Sequence, residues 1–98
     1  MSASDKLIMV MSAHIPLEGV AHFRAYEEAV LPLLKEHGGK LERRLSNGDG
    51  TVETHILSFK DKASFEKYCY DPKRLEHTKL FDDSGAQTEL RQMMDVEI

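Results

Sequence analysis

Leu7-Ile8-Met9-Val10-Met11 is a short apolar run with no alternation of apolar and polar residues. A strand with one wet face alternates, so unbroken apolarity predicts cover on both faces. The rest of the chain offers about two helical layers, which ordinarily cover one face of a small sheet. The other face is therefore expected to meet a second copy of the protein.

Outward from this run, a first strand is predicted over Lys6 to Ala13, closed off by Pro16. A helix follows from about Leu17 to His37, because Phe23, Tyr26, Val30, Leu34 and His37 recur at helical spacing. Pro32 falls on the solvent side of that pattern and predicts a bend. Gly38-Gly39 ends it. Strand 2 is read over Lys40 to Leu45, with Leu41, Arg43 and Leu45 sharing a face. Asn47-Gly48-Asp49-Gly50 contains both favoured hairpin dipeptides, so strand 3, about Thr51 to Phe59, should run antiparallel beside strand 2.

Asp61 suits the N-cap of a second helix bearing Phe65, Tyr68 and Cys69. Asp71-Pro72 opens a further short helix holding Leu75, Leu80 and Phe81, which Ser84-Gly85 breaks. A last strand is predicted from Thr88 to Val96. The order is β-α-β-β-α-β, the α+β ferredoxin-like arrangement with a four-stranded antiparallel sheet and helices on one face. Strands 1 and 3 belong in the middle.

Composition narrows the function. A chain of 98 residues makes one domain, residues 1–98, and buries little enough surface that dimerisation would help it. A net charge of −4 argues against nucleic acid, which needs clustered Lys and Arg. No apolar run approaches the ~20 residues that cross a bilayer, and the polar N-terminus does not read as a signal peptide. The lone Cys69 fits a reducing cytoplasm.

These features together resemble the dimeric α/β-barrel superfamily, the group of antibiotic-biosynthesis monooxygenase-like and haem-degrading proteins and many small stress-responsive ones. The resemblance spans nearly the whole chain. It rests on strand 1, on Val30-Leu31-Pro32-Leu33-Leu34-Lys35-Glu36-His37-Gly38-Gly39, on Leu57-Ser58-Phe59 followed by Phe65-Glu66-Lys67-Tyr68, and on Asp71-Pro72. It implies a homodimer whose sheets pack into a barrel, with a pocket between each sheet and its own helices. The haem-degrading relatives use a tryptophan, which this chain lacks. The quinone-forming monooxygenases use a pocket tryptophan with tyrosine and arginine; Tyr26, Tyr68 and Arg43 offer the latter two types.

Five histidines are the candidate bases. His14, just past strand 1, and His55, on strand 3, have side-chain chemistry suited to a catalytic base near neutral pH. A strand-end His on a carbonyl, or a buried His satisfied in the core, explains either as well. His37 in the last turn of helix 1 suits the helix dipole. His77 sits where it could close over a pocket mouth, and His22 lies on the polar flank. Tyr26 and Tyr68 point inward as core or as substrate contacts. Glu27 borders the apolar stripe, either with a raised pKa or snorkelling outward.

Met9, Met11, Met93 and Met94 form a soft lining that suits an apolar ligand or ordinary packing. No histidine pair has helical ligand spacing and no H-E-x-x-H or C-x-x-C occurs, so no metal is expected. No phosphate cradle or nucleophile elbow implies a cofactor. The expected function is a small-molecule-binding homodimer for an apolar or aromatic ligand. It is either a cofactor-independent monooxygenase or isomerase on an aromatic or polyketide-like compound, or a non-catalytic ligand-binding or stress-related dimer. A structural partner domain is the third reading.

Overall fold

The computed structural model describes residues 6–97. Strand β1 (Leu7–His14) is central, pairing antiparallel with β3 (Val52–Phe59) on one side and β4 (Gln87–Met93) on the other. Strand β2 (Gly39–Ser46) pairs with β3, giving the order β2-β3-β1-β4 of the ferredoxin-like fold. The expected α+β architecture is the observed one. The β2–β3 hairpin closes over Asn47 to Thr51, where Asn47 Oδ1 accepts from the Val52 amide and Asp49 Oδ1 from that of Thr51.

The region read as one helix is three segments: a 3-10 turn at Leu17–Gly19, helix α1 (Val20–Val30) and a 3-10 stretch at Leu31–His37. Pro32 stands at the start of the last segment. It has no amide hydrogen and its ring crowds the carbonyl four residues back, so the chain tightens instead of merely bending. Gly38, at φ 67°, ends the segment in the left-handed conformation. After β3, Asp61 caps helix α2 (Lys62–Cys69), accepting from the Ser64 amide at 2.8 Å. The single short helix expected next is two, α3 (Pro72–Leu75) and α4 (Thr78–Ser84). Strand β4 ends at Met93, three residues before the expected limit.

All helices lie on one face of the sheet. Leu7, Met9 and Ala13 are buried beneath them, while Ile8 and Val10 on the opposite face are half-buried. Two apolar clusters form beneath the helices. One gathers Leu7, Met9, Leu34, Leu57, Phe59 and Tyr68; the other gathers Ala13, Ile15 and Phe23. A fully buried Phe such as Phe23 or Phe59 contributes roughly 1.5–3 kcal/mol. Between the clusters, at the level of Met11 and His55, the packing turns polar.

β2 departs from its expected pattern. The register slips by one residue between Leu41 and Arg43, so Leu41 faces Leu57 but Arg43 faces Ile56 and Arg44 faces His55. Glu42 is the extra residue of a β-bulge. Leu41, Arg43 and Leu45 therefore do not share a face. Arg43 and Leu45 lie on the side away from the helices, and Arg44 takes the inner position.

Among the described residues, no helix is long and apolar enough to cross a membrane.

Candidate functional site

Alternation along β3 places Glu53, His55, Leu57 and Phe59 on the helix side. Two of these are charged or titratable, and both are about 2% exposed. Buried polar groups need partners, and here they partner each other. His55 Nε2 lies 2.6 Å from Glu53 Oε1, and Arg44 Nε donates to the same oxygen at 2.8 Å. Burial raises the Glu53 carboxyl pKa, but the hydrogen bonds from Arg44 and His55 outweigh it, and Glu53 ends below its ordinary value. Burial holds His55 below the usual histidine range despite the pull of Glu53. Neutral His55 thus keeps its Nε2 proton on Glu53, leaving Nδ1 as an acceptor.

Nδ1 faces α1. Glu27 Oε2 stands 3.1 Å from it, but off the line that a hydrogen bond requires, and this oxygen has no hydrogen-bond partner among the described residues. Glu27 does not snorkel outward: it is 3% exposed. Burial and then the charge of Glu53 push its carboxyl up to about 7, with Arg44 and Arg74 pulling the other way. A carboxyl that exchanges its proton near neutral pH, with an uncommitted oxygen, is suited to acid–base work. Glu27, Glu53 and His55 also bring one ligand atom each within 4.8 Å of one another. Arg44 already supplies the positive charge that Glu53 requires.

Glu27 and His55 form part of the wall of a cavity of about 320 Å3 between sheet and helices. Its apolar surfaces include Met11, Leu57, Phe81 and Leu90, and its polar ones Tyr26, Tyr68 and Arg74. Burial raises Tyr26 and pushes Tyr68 up to about 12, so both hydroxyls keep their protons. The Tyr68 hydroxyl donates to the Val30 carbonyl at 3.4 Å, and the Arg74 guanidinium stacks 4.9 Å from the Tyr68 ring centre. Cys69 borders the same space, its thiol pushed up by burial. On the other side of α1, an open groove of about 550 Å3 includes Glu27, Pro32, Lys40 and Arg44 in its lining. Glu27 belongs to both spaces.

The structure brings His55, Tyr26 and Tyr68 together around the cavity. It does not bring His14, which is exposed at the end of β1 on the face away from the helices. Arg43 is exposed on that same face, displaced by the bulge. His77 is half-buried at the start of α4 and does not line the cavity. His37 is bound to Asp71, and His22 is exposed. Met11 lines the cavity but Met93 and Met94 are 48% and 81% exposed, so the β4 share of the lining is Thr88 and Leu90. Glu53, Arg44 and Arg74 escaped the sequence reading. Glu53 carried a usable signal, since Glu-x-His on a central strand puts both side chains on one face.

No family model matches the chain, and no curated protein matches it. Solved structures do. SnoaB, a cofactor-independent oxygenase from Streptomyces nogalater, superposes with a TM-score of 0.77 at 14% identity, over 96% of each chain. A candidate antibiotic biosynthesis monooxygenase from Bacteroides thetaiotaomicron superposes at 0.80 with 13% identity, over 98% of this chain and 94% of that one. A nipsnap family protein from Agrobacterium tumefaciens, of unknown function, gives 0.65 at 14% identity, over 90% and 87%. The fold of the antibiotic-biosynthesis-monooxygenase-like proteins is thus the fold of this chain.

Proposed function

We propose, from that fold and the buried Glu27–His55–Glu53 array, that the cavity binds a small apolar or aromatic molecule and that Glu27 and His55 move a proton on it. The reaction is a cofactor-independent monooxygenation or an isomerisation. One observation carries the reading: an unpartnered, buried carboxyl oxygen stands beside the acceptor nitrogen of a histidine on a cavity wall. A cavity filled by Met and Phe would have favoured a purely structural domain, but about 320 Å3 stays open. That volume is at the small end of ligand pockets.

Glu27 or His55 Nδ1 takes the proton from a phenolic O–H or from a C–H beside a carbonyl. In an isomerase the same pair returns the proton to another carbon. In a monooxygenase the carbanion or phenolate reduces dioxygen and the two recombine as a hydroperoxide. Loss of water then leaves a new carbonyl, with one oxygen atom in product and one in water. Tyr26, protonated, holds the substrate oxygen by donation, while the Tyr68 hydroxyl proton stays on the Val30 carbonyl and its ring lines the cavity.

The test is oxygen uptake and product formation across a panel of small hydroxyarenes and enolisable ketones. Glu27→Gln and His55→Gln should each lower turnover about 100-fold or more while the ligand still binds. Turnover unaffected by both substitutions would overturn the acid–base assignment. Binding without turnover in the parent protein would assign the non-catalytic ligand-binding role instead.

The proposal extends to a homodimer built on the face of the sheet away from the helices. Ile8, Val10 and Ile56 form its half-buried apolar centre, and Leu45 and Met93, 42% and 48% exposed, lie on its flanks. Native mass spectrometry should give twice the 11.2 kDa chain mass, and Val10→Asp should reduce it to the monomer. A parent protein that is monomeric at micromolar concentration would rule this assembly out.

A further inference from the structure

We propose that the ligand of the cavity carries a carboxylate on a planar apolar body, and that Arg74 is the residue that receives it. This rests on the reading that the cavity binds a small molecule, and it adds the chemical class.

Arg74 is short of acceptors. Its Nη1 donates to the Cys69 carbonyl at 3.2 Å, but its Nε is buried with no acceptor among the described residues. None of the ion pairs among the described residues includes it. A buried N–H of a charged group left unsatisfied is costly, and a guanidinium without a counter-ion more so. Nε and Nη2 lie along one edge of the guanidinium, the edge that grips a carboxylate side-on through two hydrogen bonds. Stacking on Tyr68 holds that plane in a fixed orientation.

The charges on the cavity wall point the same way. The titratable groups that line it are Tyr26, Glu27, His55, Tyr68, Cys69 and Arg74. Burial keeps both tyrosines and the thiol protonated, holds His55 neutral, and keeps Glu27 largely protonated below about 7. Near pH 6.5 Arg74 is therefore the one predominantly charged side chain that the described residues place on the wall, and its charge is positive. The outlying pair Glu53 and Arg44 neutralises itself.

Size supplies the body. The cavity, about 320 Å3, is roughly twice the ~150 Å3 space that holds benzene in an engineered protein core. Two fused rings, or one ring with a short chain, would occupy it. The apolar surfaces of Met11, Leu57, Phe81 and Leu90 would contact the rings while the carboxylate meets Arg74.

The probes are 2-naphthoate, its neutral isostere 2-naphthamide, and 2-naphthylmethylammonium. The chain has no Trp, so naphthalene fluorescence excited beyond tyrosine absorption reports the probe alone. At pH 6.5 the carboxylate should bind about tenfold or more tightly than the amide, since a charge-assisted pair replaces a neutral one, and the ammonium weakest. Arg74→Met should bring naphthoate down to the affinity of naphthamide or below, erasing the preference; Arg74→Lys should keep part of it. Raising the pH to 8.5 ionises Glu27, which is faced by Glu53 and His55 from β3, Arg44 from β2, Arg74 from α3 and Tyr26 from its own helix. Naphthoate should then bind several-fold more weakly to the parent protein but not to Glu27→Gln. Equal affinity for naphthoate and naphthamide overturns this inference and leaves the small-molecule reading standing. Failure of all three probes overturns both. If Arg74→Met does not fold, the naphthoate-to-naphthamide ratio in the parent protein decides alone.

Discussion

His55 Nε2 and Arg44 Nε converge on one atom, Glu53 Oε1, from 2.6 and 2.8 Å. The charge on that atom is what the neighbouring Glu27 must tolerate. Glu53→Gln removes the negative charge and frees the Arg44 charge to act on Glu27; both changes favour ionised Glu27. The Glu27 carboxyl should titrate below its present value of about 7. A 13C NMR titration of the carboxyl reads this directly, and an unchanged midpoint would mean that burial alone raises it.

Glu27 also makes stability depend on pH. Its folded pKa, about 7, exceeds its unfolded 4.5, so the native state holds more protons between these values and stability falls as pH rises through them. His55, depressed in the folded state, works the opposite way below its unfolded pKa of 6.5. Comparison with a Glu27→Gln variant cancels that contribution. The variant should be more stable than the parent at pH 8 by about 1–3 kcal/mol, with the gap closing toward pH 4.5. Denaturant titrations at both pH values check it. A parent as stable as the variant at pH 8 would show that the carboxyl is not strained by burial.

Asp71 carries two duties with its two oxygens. Oδ1 accepts from the Lys73 amide at 2.8 Å, capping α3, while Oδ2 faces His37 Nε2 at 2.7 Å. The His37 hydrogen bond, then that of the Lys73 amide, holds the Asp71 carboxyl below its usual 3.8. A depressed acid stabilises the fold above its unfolded pKa, and this contribution is lost as pH falls through the lower folded value. Asp71→Asn retains a capping oxygen but replaces the second acceptor, so melting temperatures should rank Asp71→Ala below Asp71→Asn below the parent at pH 7. In strong acid the parent should fall to the level of the Asn variant, while the Ala variant, with no capping oxygen, stays below both. Equal melting of the Asn variant and the parent would confine the role of Asp71 to the cap.

Gly19 lies against the end of α4, where an added methyl would run into the Ser84 carbonyl. Backbone cannot swing aside as a side chain can. Gly19→Ala should cost about 1–3 kcal/mol, as overpacking does, and lower the melting temperature by roughly 4–8 °C per kcal/mol. Calorimetry decides it, and no loss would mean that α4 shifts freely.

The frame was legible because local signals agreed with it. The apolar run of β1, the turn residues from Asn47 to Gly50 and the caps at Asp61 and Asp71 each point to one topology. His55, Tyr26 and Tyr68 were readable as inward-facing for the same reason. The arginines were not. A strict alternation from Leu41 leads to Arg43, and only the extra residue at Glu42 turns Arg44 inward instead. No sequence pattern marks that bulge, at which Glu42 accepts from the Ser58 hydroxyl across the strands at 2.5 Å. Arg74 was hidden because α3 is four residues long and has no periodicity to reveal its inner face. Glu53 shares the inner face of His55 by alternation, but nothing local to it announces the arginine of another strand that pairs with a carboxylate buried there.

The 3-10 stretch after Pro32 acts as a ruler. Seven residues, Leu31–His37, rise ~2.0 Å each in this form against ~1.5 Å in an α-helix, a gain of about 3.5 Å. That added reach carries Gly38 to the sheet edge, where its carbonyl accepts from the Lys60 amide at 3.1 Å and β2 begins beside the end of β3. A chain without the proline would relax toward the shorter helix and arrive at that edge too soon. One ring in the middle of a helical pattern thus sets where the β2–β3 hairpin starts, and through it the height at which Arg44 meets Glu53.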